Sequence, residues 1–301
     1  MNPLVSVCLI TFNHAKYIRD ALEGVLMQNI NFEWEFIIAD DFSNDGTREI
    51  LVDYQKKHPQ LIKLILQNKN TGPANNWIDL LKASQAKYTA YFEGDDFWTD
   101  RNKLQTQVDF LEQNTDYSMC FHNVEYRYET KNTPSILGLN SDEPETTTSI
   151  DLALRNNYIP SCSVVYRNNY SEDFFNMIPH IKIGDWFLHL YNSQFGKIKY
   201  ISKVMGVYRI HKAGSWSAIN DLERQNILIE TTNKLIHFFE GNDVISSHLL
   251  KTRTQLEKDY NISVTRPIIK KTSFIVKLIK SVTPFYIINK LHFKKTGYYL
   301  K

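Results

Sequence analysis

The chain has 301 residues, of which 43% are hydrophobic and 13% aromatic, so it is long enough to bury a sizeable core. Its formal net charge is only +2, which does not favour nucleic acid as a partner. The charge is unevenly distributed, because residues 266–301 contain nine Lys or Arg and no Asp or Glu, which leaves a net charge of −7 on residues 1–265.

The three cysteines, Cys8, Cys120 and Cys162, are widely spaced and each has apolar neighbours. This pattern predicts buried thiols and no disulfide. The N-terminus lacks a charged segment followed by a long apolar one, and no run approaches about 18 uninterrupted apolar residues. We therefore expect neither a signal peptide nor a membrane-spanning helix.

The first third of the chain predicts strands that alternate with helices. Residues 4–10 form a near-continuous apolar run, typical of a strand covered on both faces, and residues 17–27 carry apolar side chains at helical spacing. The pattern continues with a strand at 34–39, a helix through Tyr54, a strand at 61–66, a helix at 74–83 and a strand from Tyr88. This alternation predicts a doubly wound, mostly parallel sheet with right-handed crossovers.

Three of the four predicted strands end in polar residues, at 11–14, at Asp40 with Asp41, and at 93–96. In a parallel sheet these ends lie at one edge, where ligands bind. We therefore expect the three polar ends to converge on one crevice.

Glu93, Asp95 and Asp96 place three carboxylates within four residues. Carboxylates this close repel one another, so the fold must compensate them with water, hydrogen-bond donors or a cation. Mg²⁺ and Mn²⁺ take carboxylate oxygens as ligands, whereas the alternative is a solvated acidic turn. The convergence of the strand ends favours the cation.

The later part of the chain has a different organisation. Residues 126–150 are polar and lack periodicity, which predicts a loop on the ligand side or a disordered insert. Residues 219–239 and 244–260 predict two amphipathic helices that support the core or form a dimer contact. Residues 268–280 separate isoleucines from lysines on two helical faces, which suits an anionic membrane surface. The alternative for this tail is a helix docked on the acidic body.

The motifs together resemble those of the inverting family 2 glycosyltransferases with the GT-A fold. The resemblance covers residues 4–217 and is carried by VSVCLITFNHAKYIRDALEGVLMQ, FIIADDFSNDGT, NKNTGPANNW, YFEGDDFW, SCSVVYR, IGDWFL and YRIHKAGSWS. It implies a Rossmann-like sheet flanked by helices, with a helical C-terminal extension. The expected organisation is a GT-A domain at 1–217, a helical support region at 218–265 and a basic amphipathic tail at 266–301.

The resemblance implies a nucleotide-sugar donor, usually a UDP-sugar, held at the first two strand ends. Thr11 and Phe12 would flank the base, and Asp41 would accept a hydrogen bond from its N3–H group. The full set of residues assigned to the nucleotide is Thr11, Phe12, Asn13, Asp41, Asn76 and Asp95.

The resemblance also implies a metal site and a catalytic base. Asp95 and Asp96 match the family's metal motif and would hold Mn²⁺ or Mg²⁺, with His211 as a further ligand. Asp185 matches the acid that acts as general base on the acceptor hydroxyl. From the sequence alone, the alternative role for Asp185 is a helix N-cap.

The implied activity is inverting transfer of a sugar to a hydroxyl of a glycan or lipid-linked acceptor, in polysaccharide or lipopolysaccharide synthesis. The expected location is the cytoplasm, with peripheral attachment to the inner face of the cytoplasmic membrane. Two alternatives from other classes are a sugar-phosphate nucleotidyltransferase and a non-catalytic nucleotide-sugar-binding protein. Neither the sugar nor the acceptor is indicated by any motif.

Overall fold

The structure, a computed structural model, describes residues 3–129, 133–140, 142–214, 216–217 and 219–265. The strands are β1 Val5–Thr11, β2 Trp34–Asp40, β3 Ile62–Leu66, β4 Tyr88–Glu93, β5 Phe97–Trp98, β6 Tyr117–Tyr128, β7 Ile136–Leu137, β8 Thr146–Thr147, β9 Val164–Arg167 and β10 Lys197–Ile210. The helices are α1 Ile18–Leu26, α2 Thr47–Lys57, α3 Pro73–Ala83, α4 Lys103–Gln113, α5 Ser149–Arg155, α6 Glu172–Met177, α7 Gly184–Ser193, α8 Asp221–Phe238 and α9 Asp243–Thr265.

All the strands of the described chain belong to one mixed sheet with the main order β3, β2, β1, β4, β9, β6, β10, β5. The four strands β3, β2, β1 and β4 are parallel, as are β6 and β10. Strand β9 runs antiparallel between β4 and β6. The predicted mostly parallel α/β sheet flanked by helices is therefore confirmed, and β9 joins its two parallel parts.

The register of β1 brings the predicted strand ends together. Thr11 pairs with Asp40 on β2, while Ile10 pairs with Glu93 on β4. Every residue of β1 is buried, which explains its near-continuous apolar sequence. The polar residues that follow these strands therefore share one edge of the sheet.

Alternate residues of β1 face two different parts of the core, as the two-residue period of a strand requires. Val7 packs in the cluster that contains Leu22 of α1 and Leu104 of α4. Cys8 packs in the opposite cluster, which also contains Leu235 of α8. Helices α8 and α9 therefore contribute to the same core as the sheet. All three cysteines are buried and free, as predicted.

The interpretation of residues 126–150 as one aperiodic segment was wrong in part. Residues 126–128 complete β6, where Tyr126 and Tyr128 are buried, while β7 pairs with β6 and β8 pairs with β10. The buried tyrosines alternate with polar residues, a strand pattern that the polar composition of the segment concealed.

Two expectations concern membranes. None of the described helices is both long and apolar enough to cross a bilayer. The predicted basic tail, residues 266–301, lies outside the described residues.

Candidate active site

The carboxyl ends of β1, β2 and β4 open into a cavity of about 730 Å³. Its lining includes most of the residues that the sequence predicted: Thr11, Phe12, Asp41, Asn76, Asp95, Asp96 and Asp185. Two other predicted residues, Asn13 and His211, are not part of this lining. The expected convergence of the strand ends is thus present.

One end of the cavity has features suited to a planar, polar group. Phe12 is 43% exposed and offers an apolar ring face, whereas Thr11 is buried at the end of β1. The Thr11 carbonyl accepts a hydrogen bond from the Asp41 backbone N–H at 3.1 Å, which holds the two strand ends together.

The Asp41 carboxylate fixes the loop before α3. Its Oδ1 accepts hydrogen bonds from the Thr71 backbone N–H at 2.7 Å and from the Thr71 hydroxyl at 2.9 Å. Its Oδ2 accepts one from the Gly72 N–H at 3.0 Å. Gly72 has a φ of 85°, which a glycine adopts without strain. Because a carboxylate has about four acceptor positions, one remains for a ligand.

Asn13 and Asn76 both have structural hydrogen bonds. The Asn13 Oδ1 accepts from the Asn44 N–H at 3.0 Å, and its own N–H donates to the Ser43 hydroxyl at 2.8 Å. The Asn76 Nδ2 donates to the Ala39 carbonyl at 3.0 Å, which ties α3 to β2. Both asparagines therefore stabilise the loops and helix around Thr11 and Asp41, and their direct contact with a nucleotide stays a prediction.

The three acids after β4 have three different environments. Burial, together with the nearby charges of Asp95 and Asp185, raises the pKa of Glu93 to about 8, and Ser161 donates a hydrogen bond to it at 3.0 Å. Burial and the charges of Asp95 and Glu93 also raise the pKa of Asp96 well above its usual range. Burial opposes ionisation of Asp95 as well, but the hydrogen bond with His211 and the nearby charges of His14 and His211 together outweigh burial and lower the pKa of Asp95. Asp95 therefore carries the negative charge at neutral pH.

Two histidines face the Asp95 carboxylate. The Nε2 atom of His211 lies 3.0 Å from Asp95 Oδ2, and the Nε2 atom of His14 lies 3.8 Å from the same oxygen. Gly94 makes room for this arrangement, because a Cβ atom there would lie 3.1 Å from His14 Nδ1 and 2.9 Å from Thr11 Oγ1. Within the described residues no group of three or more His, Cys, Asp or Glu is arranged to hold a metal ion. Any ion at Asp95 and His211 would therefore need ligands from a phosphate and from water.

Arg209 on β10 binds the acidic turn, residues 93–96. Its guanidinium donates to the Asp95 carbonyl at 2.7 Å and forms an ion pair with Asp20. Its backbone N–H donates to Asp96 Oδ1 at 2.8 Å. The guanidinium also lies 4.3 Å from the centre of the Phe97 ring. These contacts bring the end of β10, and with it His211, onto the acidic turn.

Asp185 also lines the cavity, at the second position of α7, and Ile183 occupies the N-cap position. The Trp186 N–H donates to Asp185 Oδ1 at 2.9 Å, and the Asn157 amide donates to Oδ2 at 2.6 Å. Burial raises the pKa of the Asp185 carboxyl. Gly184 must be small, since a Cβ atom there would lie 2.9 Å from the Trp77 ring.

Four further residues at the site were not singled out from the sequence: His14, Trp77, Asn157 and Arg209. His14 belongs to the polar break after β1, so its position at the sheet edge was foreseeable. The contact between Asn157 and Asp185 joins residues 28 positions apart and leaves no periodic signal in the sequence.

Comparisons with known proteins agree with this architecture. A protein of Mycobacterium tuberculosis described as uncharacterised is 39% identical over 218 residues, which are 72% of this chain and 62% of that protein. This chain thus matches less than two thirds of the length of that relative. The UDP-Glc:alpha-D-GlcNAc-diphosphoundecaprenol beta-1,3-glucosyltransferase WfgD of Escherichia coli is 30% identical over 135 residues, 45% of this chain and 49% of that enzyme.

Among solved structures, Staphylococcus aureus TarS in complex with UDP-GlcNAc has a TM-score of 0.61, with 97% of this chain and 87% of that chain covered. Its sequence identity is 16%, so the likeness concerns the fold. Residues 6–209 match the family described as Glycosyl transferase family 2. Since this match covers more than half of the sequence, the chain belongs to glycosyl transferase family 2, and its fold is the GT-A fold that the motifs predicted.

Proposed function

We propose that the protein is an inverting glycosyltransferase that moves a sugar from a UDP-sugar donor to a hydroxyl group of a glycan or lipid-linked acceptor, in polysaccharide or lipopolysaccharide synthesis. The observation that carries this proposal is the content of one cavity. Asp95, in contact with His211, follows β4, and Asp185 lies on α7, and both acids line this cavity. This arrangement provides separate positions for a leaving diphosphate and for an attacking hydroxyl.

The nucleotide end supports a uracil base. The exposed Phe12 ring can stack on a planar base, and the remaining acceptor position of Asp41 suits the N3–H group of uracil. Relatives that are named for a UDP-sugar donor, such as WfgD, support the same donor class.

Asp95 and His211 are the side chains that would hold a divalent metal ion. Asp95 is anionic, and imidazole nitrogen suits Mn²⁺ better than Mg²⁺. Asp96 stays a predicted ligand, with Oδ1 already hydrogen-bonded to Arg209. Mn²⁺ or Mg²⁺, when bound, would act as a Lewis acid on the charge that develops on the diphosphate.

Asp185 would act as the general base. Its carboxylate takes the proton from the acceptor hydroxyl while that oxygen bonds to the anomeric carbon and the carbon–oxygen bond to the diphosphate breaks. A single displacement inverts the anomeric configuration. The raised pKa of Asp185 makes it a stronger base than an exposed aspartate.

The acceptor would enter beside Asp185, where the cavity wall is largely apolar and includes Trp77, Tyr158, Ile181 and Ile183. Aromatic and aliphatic side chains suit the faces of sugar rings and the first carbons of a lipid. We propose in addition that the basic residues 266–301 attach the enzyme to an anionic membrane surface, where lipid-linked acceptors reside.

The test is product analysis with purified protein, a panel of UDP- and GDP-sugars, Mn²⁺ and candidate acceptors. NMR of the anomeric proton should show an inverted linkage together with release of UDP. Formation of a nucleotide sugar from a sugar phosphate would instead identify a nucleotidyltransferase. Donor binding without turnover on any acceptor would favour a binding protein.

The metal assignment is tested separately by calorimetry, which measures UDP binding in the presence of Mn²⁺ and in the presence of EDTA. Asp95→Asn should abolish the Mn²⁺-dependent part of the affinity, because it removes the only anionic ligand of the pair. Asp96→Asn is the matched variant. If it has the same effect, Asp96 is also a ligand; unchanged Mn²⁺ dependence in Asp95→Asn would refute the site.

A further inference from the structure

The backbone between α5 and the 3-10 turn at Ser161–Ser163 contains an unusual conformation. Asn156 has φ 57° and ψ −164°, a combination that is essentially restricted to glycine. The residue is 5% exposed, and its Oδ1 atom is buried without a hydrogen-bond partner in the part of the chain that the structure describes. Strain and an unsatisfied polar atom both lower stability, so this turn needs an explanation.

The next residue, Asn157, has a similarly costly side chain. Its Oδ1 atom is buried and has no hydrogen-bond partner among the described residues. Its Nδ2 atom, however, donates to Asp185 Oδ2 at 2.6 Å. The strained turn therefore places the Asn157 amide N–H against the Asp185 carboxylate.

This contact completes the fixation of Asp185. The Trp186 N–H already holds Oδ1 at 2.9 Å, so the two donors together prevent the carboxylate group from rotating. Asn157 provides the only side-chain hydrogen bond to Asp185 that the described residues contain. Without it, Oδ2 would be free to turn away from the acceptor.

We infer that Asn157 is a positioning residue that aims the Asp185 carboxylate at the acceptor hydroxyl, and that the strained backbone at Asn156 serves to present it. The inference rests on the proposed function, since it assigns Asn157 a role through the catalytic base. It explains why two adjacent amides retain unsatisfied buried oxygens beside the cavity.

The contact also has an electrostatic consequence. Burial raises the pKa of Asp185, and the Asn157 hydrogen bond opposes that rise because it favours the ionised carboxylate. Among the described residues, the titratable groups of other elements that interact electrostatically with Asp185 include Glu93, Tyr91, Tyr126, Tyr166 and Tyr208. Because the Asn157 hydrogen bond lowers the pKa of Asp185, loss of the amide should raise that pKa further.

The test compares Asn157→Leu and Asn157→Ala with Asn192→Leu as a matched control. Asn192 is a buried asparagine of α7 that also has one hydrogen bond, to the Leu188 carbonyl, and one unsatisfied Oδ1 atom, but it does not line the cavity. The Asn157 variants should have a kcat about 10- to 100-fold lower, with UDP affinity within about twofold of the wild type. In a plot of kcat against pH, their acid limb should lie at higher pH. Asn192→Leu should leave the acid limb in place.

A carbon-13 NMR titration of the Asp185 carboxyl, assigned by its loss in Asp185→Asn, provides a readout without turnover. Its pKa should rise in both Asn157 variants. If the wild type is active and the folded Asn157 variants show an unchanged kcat, acid limb and Asp185 pKa, the inference about Asn157 is overturned while the proposed function stands. A folded wild type that transfers no sugar from any donor would overturn the proposed function instead.

The strain is tested by Asn156→Gly, which should melt at a higher temperature than the wild type, because glycine adopts this backbone conformation without a Cβ penalty. A lower melting temperature would show that the Asn156 side chain stabilises the turn, and would overturn the role assigned to the strain.

Discussion

Asp41→Asn separates the structural role of Asp41 from its proposed role in binding the base. If the new carbonyl oxygen keeps the two bonds from Thr71, the new amide group faces the Gly72 N–H, and the 3.0 Å bond is lost. A hydrogen bond to a charged group contributes about 1.5–3 kcal/mol. The Gly72 N–H also lies 3.1 Å from Asn70 Oδ1, so we expect the lower value. A loss of about 1.5 kcal/mol should lower the melting temperature by about 3 °C.

The same change should weaken nucleotide binding much more than it weakens the fold. An amide group cannot accept a hydrogen bond from the uracil N3–H, so the Kd for UDP should rise about 10- to 150-fold, which corresponds to about 1.5–3 kcal/mol. Isothermal titration calorimetry at fixed Mn²⁺ measures this. Thr71→Val is the control, because it removes only the hydroxyl bond to Asp41 at 2.9 Å. It should leave the Kd within about twofold.

A methylated nucleotide makes the test specific for the N3–H group. Wild-type protein should bind 3-methyl-UDP about as weakly as Asp41→Asn binds UDP, and the variant should no longer distinguish the two nucleotides. If Asp41→Asn melts at a lower temperature but retains wild-type affinity for UDP, then Asp41 only fixes the loop at residues 70–72, and its assignment to the base is refuted.

Three other changes have expected outcomes. Asp185→Asn should lower kcat by about 10² to 10⁴ in a donor-release assay with UDP affinity nearly intact, and near-normal turnover would exclude Asp185 as the base. In EDTA, the unfolding free energy should fall as pH rises from 4.5 to about 8, because burial raises the pKa of Glu93 and the folded protein favours its protonated form. Glu93→Gln should reduce this pH dependence in denaturant titrations. An unchanged pH dependence in the variant would contradict the assignment to Glu93. Truncation after Thr265 should abolish sedimentation with anionic vesicles, since it removes nine cations that each gain about 1 kcal/mol near such a surface. Continued sedimentation would show that residues 1–265 make the membrane contact.

The sequence predicted the sheet because its signals were local. The apolar run of β1 and the acids after β4 identified buried strands and their polar ends, and a parallel sheet then requires those ends to meet.

The features that were missed depend on contacts between distant segments. The position of β9 between β4 and β6 reverses the strand direction, and four residues of ordinary strand sequence do not encode that choice. The approach of His14 to Asp95 and of Asn157 to Asp185 depends on where separate loops end after packing. The burial of β6 beyond Val124 was hidden because its tyrosines alternate with charged residues.

The dependence of the site on β10 has a consequence for biosynthesis. Asp95 and His211 are 116 positions apart, and His211 follows directly after β10, which pairs with β6 along its length. Because a chain emerges from the ribosome from its N-terminus, the ends of β1, β2 and β4 are made well before the strand that brings His211 to Asp95. A nascent chain therefore cannot assemble the Asp95–His211 pair until its last long strand has been translated and docked.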